Sequence, residues 1–458
     1  MSNEFLRYDA VVIGSGQGGN PLSVALAKRG ERVALIESNQ LGGTCINTGC
    51  TPTKTMIASA QIAYYARNAD RWGIRANFAE VDMQTVIRRK QERVEAGRKG
   101  WEESVDGENE PHLFRNRARF IGPKQLAVGE QRLQSERVFI DTGSTPAIPA
   151  ITGLETVPYL TNVTIMELEE VPPHLLVLGG GYVGLEFSQM YRRFGSEVTV
   201  LQRSKQILPE EDEDIATELN KVFEAEGIRI HLGAAVTKVE GSRGEITLTL
   251  GNGQQTVTGS HLLVATGRTP QTKDLDLAKT GVKVDQRGYV VVNDRLETSA
   301  PGIWALGDVN GGPAFTHISY NDYQIVYGNL YEGKSLSTQT RLVPYAVFTD
   351  PPLGRVGMSE KKARAQGRKL KLGKVPMTRV SRALEKAETA GLMKLVVDAE
   401  TDKVLGAAIL GSSGDEVVQI LSTLLLADQP YTLLKGAIYI HPTMAEGLFT
   451  LMESVKPV

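Results

Sequence analysis

The chain has 458 residues, a length at which one hydrophobic core no longer suffices and two to four domains are expected. Hydrophobic residues make up 41% of it and charged residues 23%, enough for buried cores and too apolar a mix for a disordered chain. A net charge of −2 supplies no positive field for nucleic acid or an anionic bilayer, so neither is expected as a partner, and small molecules are.

The N-terminus runs from MSNEFLRYD straight into AVVIG, too short an apolar stretch for a signal segment, and no run of about 18 apolar residues occurs anywhere. A cytoplasmic protein is the expectation. Two cysteines fit a reducing compartment, where a close pair is more often catalytic or metal-binding than structural. Residues 8–13 read as a buried strand, followed by Gly14, Gly16 and Gly19 and then a helical stretch to Lys28. This spacing lets a diphosphate approach bare backbone and the free N–H groups of a helix N-terminus. The next strand, VALIE, ends on Glu37, about 20 residues further on, where a side chain reads the adenosine ribose.

Both cysteines lie in GGTCINTGCTPTK, residues 42–54, together with Gly43, Thr44 and Lys54. On a regular α-helix, residues five apart are about 8.6 Å apart at Cα. A disulfide tolerates roughly 6.8 Å. If Cys45 and Cys50 bond, the segment must therefore bend, and Thr48-Gly49 offers the place. Pro52 suits a first helical turn, which puts Cys50 near a helix N-terminus that stabilises a thiolate. Two sulfurs cannot form a four-thiolate metal cage, and no resident metal is expected.

The basic run RRKQERVEAGRKG, residues 88–100, is expected to form the exposed face of a helix. In FIDTGSTP a strand precedes Thr142 and Gly143, and LLVATGRTP repeats the pattern up to Gly267. Between them, a strand over 175–178 leads into Gly179, Gly181 and Gly184 and a helical stretch, so the glycine device occurs twice. The offset that selects Glu37 in the first copy selects Gln202 in the second, with Arg203 and Lys205 beside it. A carboxylate accepts from a free 2′-hydroxyl and repels a 2′-phosphate, whereas a neutral residue beside cations accepts that phosphate. The first copy is thus expected to bind an adenosine without 2′-phosphate, as in FAD. NADPH is expected at the second, NADH being the alternative donor. A strand over 303–305 leads to Gly307-Asp308, from which a carboxylate can reach a ribityl hydroxyl. After Arg341 the texture changes to PYAVFTDPPLGRVGMSE and then amphipathic elements, which predicts a separate domain. In HPTMAE, residues 441–446, Pro442 favours a helix start and Glu446 can orient the His441 imidazole.

Through GxGxxG at 14, GGTCxNxGCxPTK at 42, GGGYVGLE at 179, ATGRTP at 265, Gly-Asp at 307 and HPTMAE at 441, the chain resembles the class I pyridine nucleotide-disulfide oxidoreductases over essentially its whole length. That family includes glutathione reductase, dihydrolipoamide dehydrogenase and mercuric reductase. The resemblance implies an α/β fold with two Rossmann-like dinucleotide-binding domains plus a C-terminal α+β dimerisation domain. The implied division is 1–150 for the first FAD-binding segment, 151–270 for NAD(P)H, 271–340 for the remaining FAD-binding or central segment and 341–458 for dimerisation. It implies electron flow from NADPH through FAD to a Cys45–Cys50 disulfide, with Cys50 facing the flavin and Cys45 attacking substrate. Lys54 is implied near flavin N5, paired with Glu186, and Tyr182 as a cover for the flavin that nicotinamide displaces. Asp308 is implied on the ribityl chain, with Gly43, Thr44, Thr142, Gly143 and Thr316 also in the flavin site. His441 is implied as the thiol-protonating base with Glu446 as its partner, in a homodimer whose sites are each completed by the other subunit.

FTHISYNDYQIV, residues 315–326, and VFTDPPLGRVGMSE are similar to the mercuric-reductase-like branch, which includes flavoproteins of the reactive-chlorine response. The tail GLFTLMESVKPV, however, lacks the extra cysteine pair of mercuric reductases, and His441 stands where they usually carry Tyr. A soft metal ion is hard to hand over with a single dithiol. The expected reaction is therefore NADPH-dependent reduction of a small disulfide or related oxidant. The alternatives are a mercuric- or copper-type metal-ion reductase, a dihydrolipoamide dehydrogenase, against which Gln202-Arg203 argues, and a redox-sensing nucleotide-binding protein without turnover.

Overall fold

The computed structural model describes residues 4–78, 80–251, 253 and 255–458. It divides into two compact units, one of Met1–Thr55, Ile87–Ala147 and Arg268–Arg341, the other of Met56–Val86, Ile148–Gly267 and Leu342–Val458.

In the first unit the strand Leu6–Ile13 lies between Val33–Glu37 and Gln131–Ile140, parallel to both. His112–Arg115 extends this sheet beyond Val33–Glu37, and Ile303–Ala305 joins it parallel to the end of Gln131–Ile140. The start of Gln131–Ile140 instead turns back, antiparallel, through Gln125–Val128 to Ala118–Gly122. Parallel strands are covered on both faces and so read as unbroken apolar runs. Alternate residues still serve different cores. Ala10, Val12, Leu35 and Phe139 pack with Leu22 and Leu26 of the helix Gly19–Ala27 and with Ile325 of the helix Thr316–Tyr331. Val11, Ile13, Ile36 and Val138 face Phe120, Leu126 and Val290 on the other side.

In the second unit the device recurs. His174–Leu178 lies between Glu197–Gln202 and His261–Val264, all parallel. Gly14 N–H donates to Ile36 O at 2.8 Å and Asp141 N–H to Ile13 O at 2.8 Å, while Gly179 N–H donates to Leu201 O at 2.9 Å and Ala265 N–H to Leu178 O at 2.9 Å. The duplicated sequence pattern is thus a duplicated hydrogen-bond pattern. The same unit holds an antiparallel sheet in the order Tyr345–Val347, Leu353–Gly357, Val404–Leu410, Leu392–Asp398, Leu370–Pro376, Lys456–Pro457. Helix Gly414–Leu426 buries Val417, Val418 and Leu421 against Val356 and Ile409 of that sheet, the α+β arrangement expected of the C-terminal region.

The basic run falls on the helix Met83–Glu102, where its charged residues are largely exposed except Lys90, which is buried. No helix among the described residues is long and apolar enough to cross a membrane.

A charge cluster closes part of the second unit. Lys394 is 2% exposed, and its Nζ lies 2.7 Å from Glu360, 3.0 Å from Asp214 and 3.1 Å from Asp212. Burial alone would lower the Lys394 pKa, yet the Glu360 and Asp212 carboxylates outweigh it and raise it. Burial likewise works against ionised Asp214 and Glu360, and the lysine and arginine partners prevail and lower both. Carboxylates depressed in this way stabilise the fold above their unfolded pKa near 4, and the contribution is lost as pH falls through the lower folded values. Lys394→Met should therefore lower stability by about 3–5 kcal/mol at neutral pH, because it strands buried carboxylates. The deficit against wild type should shrink below about pH 4. Urea midpoints measured across pH check this, and equal midpoints at neutral pH would contradict it.

Candidate active site

The glycines of the two loops are required by close approach. Gly14 has φ +105°, and a Cβ there would lie 2.2 Å from Asp141 O; Gly179 has φ +115°, with 2.4 Å to Ala265 O. A Cβ on Gly19 would meet Gly14 O at 2.2 Å, and one on Gly184 would meet Gly179 O at 2.0 Å. Each helix therefore starts against the strand that precedes it, and its first N–H groups open onto the loop. Among the described residues, no atom beyond the chain neighbours of Gly181 stands within 4 Å of where its Cβ would be, so the second loop has an open side.

The strand-end side chains sit in matching places. Glu37 accepts Ser15 N–H at 3.0 Å, Ser15 Oγ–H at 2.7 Å and Asn39 N–H at 2.8 Å. Gln202 accepts Gly180 N–H at 3.0 Å, the same contact one residue past the first glycine of its loop. The two positions are equivalent in geometry and differ in chemistry, an acid at one and a neutral amide at the other. Arg203 and Lys205 are exposed beyond Gln202, and no described carboxylate pairs with either. These residues suit FAD at the first loop, where bare glycine backbone would hold a diphosphate and the Glu37 side chain a ribose hydroxyl. Those at the second suit an adenosine with a 2′-phosphate.

Thr142 and Gly143 follow the strand Gln131–Ile140. Thr142 Oγ donates to Gln271 O at 2.8 Å, and Gly143 O accepts Gln271 N–H at 3.0 Å. These contacts belong to a ribbon in which Ser144–Pro146 pairs antiparallel with Arg268–Pro270. The ribbon brings two residues to Asp308 that the sequence reading missed. Ser144 Oγ donates to the Asp308 carboxylate, while Arg268 Nε lies 2.6 Å from Ser144 Oγ and 3.5 Å from Asp308. Nothing in the local pattern marks Ser144 and Arg268, 124 positions apart, as neighbours; only strand pairing does. Gly267 stands at the head of this ribbon with φ +133°.

The cysteine segment is bent, as a close pair demands. Cys45 lies in a short helix, Gly43–Asn47, and Cys50 is the first residue of the helix Cys50–Arg67. Between them Thr48 leaves helical geometry at φ −144°, and a Cβ on Gly49 would meet Thr44 O at 2.8 Å. Gly43 lies against the first loop so closely that a Cβ would be 2.8 Å from Gly16 Cα. Asn47, also missed in the sequence, ties the segment down: its amide donates to Leu41 O and Gly43 O, each at 2.9 Å, and Arg98 donates to its carbonyl. Both cysteines are present as thiols, Cys45 partly buried and Cys50 exposed. Cys50 Sγ is 3.1 Å from Thr316 Oγ1, which places Thr316 at the sulfur. A hydrogen bond to Cys50, burial and the negative charge of Cys50 push the Cys45 thiol far above its usual range, against a smaller opposing effect of Thr316. Lys54 lies one helical turn beyond Cys50, and Thr44 is exposed beside Cys45.

In the second unit Tyr182 opens the helix Tyr182–Phe194 and is partly exposed. One turn on, Glu186 is buried and accepts Phe348 N–H at 2.9 Å. His441 Nδ1 lies 3.0 and 2.9 Å from the two Glu446 oxygens, which leaves Nε2 as its free edge on an exposed ring. One expectation is corrected: Pro442 does not open a helix. Thr443 Oγ donates to Ile440 O and accepts Glu446 N–H, closing a turn over 440–446, and the helix begins only at Gly447. The turn, not a helix, brings Glu446 back to the imidazole.

Comparisons with known proteins show the family. The sequence model of the family described as pyridine nucleotide-disulphide oxidoreductase matches residues 8–322, and that of its dimerisation domain matches residues 343–452. The probable pyridine nucleotide-disulfide oxidoreductase RclA of Escherichia coli K12 is 39% identical, over 98% of this chain and 100% of its own length. A mercuric reductase of Lysinibacillus sphaericus is 34% identical, over 96% of this chain and 81% of its own. Among solved structures, the Cu(II) complex of the HOCl-induced flavoprotein disulfide reductase RclA from Escherichia coli aligns with a TM-score of 0.89 at 37% identity, covering 98% of this chain and 99% of that one. With two glycine loops, a paired dithiol and matches over nearly its whole length, the chain belongs to the pyridine nucleotide-disulfide oxidoreductases and is an FAD- and NAD(P)H-dependent enzyme of the flavoprotein disulfide reductase family.

Proposed function

We propose that this enzyme takes two electrons from NADPH and delivers them through the Cys45–Cys50 pair to a small disulfide or related oxidant, as a cytoplasmic homodimer. The observation that carries the reading is the bent dithiol segment, with Cys45 in a short helix of its own and Cys50 at the head of the next. FAD, when bound, supplies the two-electron link between nicotinamide and sulfur. Residues 1–150 and 271–340 would form its domain, 151–270 that of NADPH and 341–458 the dimer contact. Glu37 and Asp308 would anchor adenosine ribose and ribityl chain, with Gly14, Gly16 and Gly19 beneath the diphosphate. Gly179, Gly181, Gly184, Arg203 and Lys205 would bind NADPH. Lys54 would lie at the flavin, and Tyr182 and Glu186 at the nicotinamide.

In the reduced enzyme the exposed edge of His441 of the partner subunit takes the proton from Cys45, whose thiolate attacks one sulfur of the substrate RSSR. A Cys45–SR bond forms, the S–S bond of the substrate breaks, and RS⁻ leaves with that proton as RSH. Cys50 thiolate then attacks the Cys45 sulfur, closes the Cys45–Cys50 disulfide and releases the second RS⁻, which takes a proton from solvent. Two electrons from NADPH reopen the disulfide, so the sum is NADPH + H⁺ + RSSR → NADP⁺ + 2 RSH. Glu446 holds the imidazole so that Nε2 faces outward.

A second reading is reduction of a soft metal ion, NADPH + 2 Cu(II) → NADP⁺ + 2 Cu(I) + H⁺. It is favoured by two adjacent thiols, one of them exposed, and by the Cu(II) complex and the mercuric reductase among the similar proteins.

Anaerobic NADPH titration followed by turnover with glutathione disulfide, lipoamide, Hg(II), Cu(II) and quinones separates the readings. Cys45→Ser and Cys50→Ser should each lower disulfide turnover to background. Turnover that survives either change would refute the first reading, and Cu(II) or Hg(II) outpacing every disulfide would install the second. His441→Gln should cost about 10²- to 10⁴-fold in kcat with disulfides, and equal kcat values would remove it from the chemistry. For coenzyme choice, Arg203→Ala with Lys205→Ala should raise the KM for NADPH about tenfold to a hundredfold, the worth of a charge-assisted hydrogen bond, and leave that for NADH unmoved. Equal effects on both coenzymes would show that these residues do not read the phosphate.

A further inference from the structure

Asp141 sits at the first unit's phosphate cradle with a charge opposed to the site's task. It follows the strand Gln131–Ile140 and is 6% exposed. Its Oδ2 accepts the N–H of Gly19, the first residue of the nine-residue helix Gly19–Ala27, at 2.7 Å. The rest of the carboxyl is packed among glycines. A Cβ on Gly16 would lie 2.8 Å from Oδ2, one on Gly307 2.8 Å from Oδ1, and one on Gly18 3.3 Å from Oδ1. No hydrogen-bond donor among the described residues reaches Oδ1.

The charged groups that face Asp141 are acids: Glu37 at the end of Val33–Glu37, Asp308 in the turn Gly307–Asn310 and Asp322 on the helix Thr316–Tyr331. The nearby cations are engaged elsewhere, Arg341 with Asp322 and Arg268 with Ser144 and Asp308. Burial, followed by these three carboxylates, holds Asp141 well above the ordinary carboxylate range, against the pull of Gly19 N–H. A flavin diphosphate at the same helix N-terminus adds further negative charge. An ionised Asp141 would compete with it for the one dipole that both would use. A neutral carboxylic acid has no such conflict, since one oxygen accepts Gly19 N–H while the other offers a proton.

We propose that Asp141 works as a neutral acid in flavin retention: Oδ2 accepts Gly19 N–H, and the proton on Oδ1 is donated to the FAD diphosphate, so that flavin binding and this proton are thermodynamically linked. The bound state then holds the proton more tightly than the free protein does. FAD affinity is full below the pH at which Asp141 titrates in the flavin-free chain. It falls as pH rises from there towards the bound-state value, approaching tenfold per pH unit. Asp141 is a cofactor-binding group here, and the inference holds or fails independently of which oxidant is reduced.

The test is FAD titration of the deflavinated full chain from about pH 6 to about pH 10, with infrared spectra of the flavin-loaded protein. Wild type should lose affinity with rising pH, and Asp141→Asn, the permanent neutral isostere, should be flat where wild type falls. Asp141→Ala should bind FAD at least about tenfold more weakly at the low end, since Gly19 N–H loses its acceptor. The loaded wild type should show the carbonyl stretch of a protonated carboxylic acid, absent from Asp141→Asn. Should that variant fail to fold, isotopic labelling of aspartate assigns the band in wild type. Either parallel pH profiles for wild type and Asp141→Asn, or the lack of an aspartic-acid carbonyl band in the loaded protein, overturns the proposal.

Discussion

The contact on which the site depends is that of Gly43 with Gly16. An added Cβ on Gly43 would stand 2.8 Å from Gly16 Cα, so the segment bearing the sulfurs lies on the diphosphate loop only because it has no side chain there. Asn47 then fixes the direction of that segment by donating to Leu41 O and Gly43 O. Gly49 permits the break that returns Cys50 to the head of its own helix. Sulfur chemistry and cofactor cradle are therefore built from one piece of backbone. The geometry a two-electron exchange needs is set by van der Waals contact, the least compliant of packing terms.

Around that contact the first unit carries three carboxylates, each held by named partners. Glu37 is held by Ser15 and Asn39, Asp308 by Ser144 and Arg268, and Asp322 by Arg341. Each is oriented before any ligand arrives, which lowers the ordering cost that binding must meet. Arg203 and Lys205 lie in the other unit, beside a strand end that carries no charge. The electrostatic division between the two units thus follows the chemical difference between the adenosines they suit.

Much of this was legible in the sequence because the determinants are local. Glycine spacing, the unbroken apolar strands and the offset to Glu37 and Gln202 are set within a single βαβ stretch of chain, where steric rules act over few residues. The bend between the cysteines was legible for the same reason, since helical rise and disulfide reach conflict over five positions. Ser144, Arg268 and Asn47 were not. Their roles arise from strand pairing and from a turn packed under distant chain, neither of which leaves a periodic trace. Asp141 lay inside a recognised motif, yet its burial among glycines and its single donor belong to the folded loop and not to FIDTGSTP as a string. The turn at 440–446 misled for a further reason: Pro442 is compatible with a helix start, and it is the hydroxyl of Thr443, bonded at both ends, that decides against one.

Glu37 and Gln202 make the same bond to the same loop position at the same 3.0 Å, differing by an oxygen and an amide nitrogen. The tie that shapes each loop is thereby uncoupled from the charge each pocket presents. Under the proposed coenzyme assignment, a lineage of such enzymes can change its preferred coenzyme at this strand end with the loop's hydrogen bond untouched, which makes coenzyme preference a shallow trait on a deeply constrained scaffold.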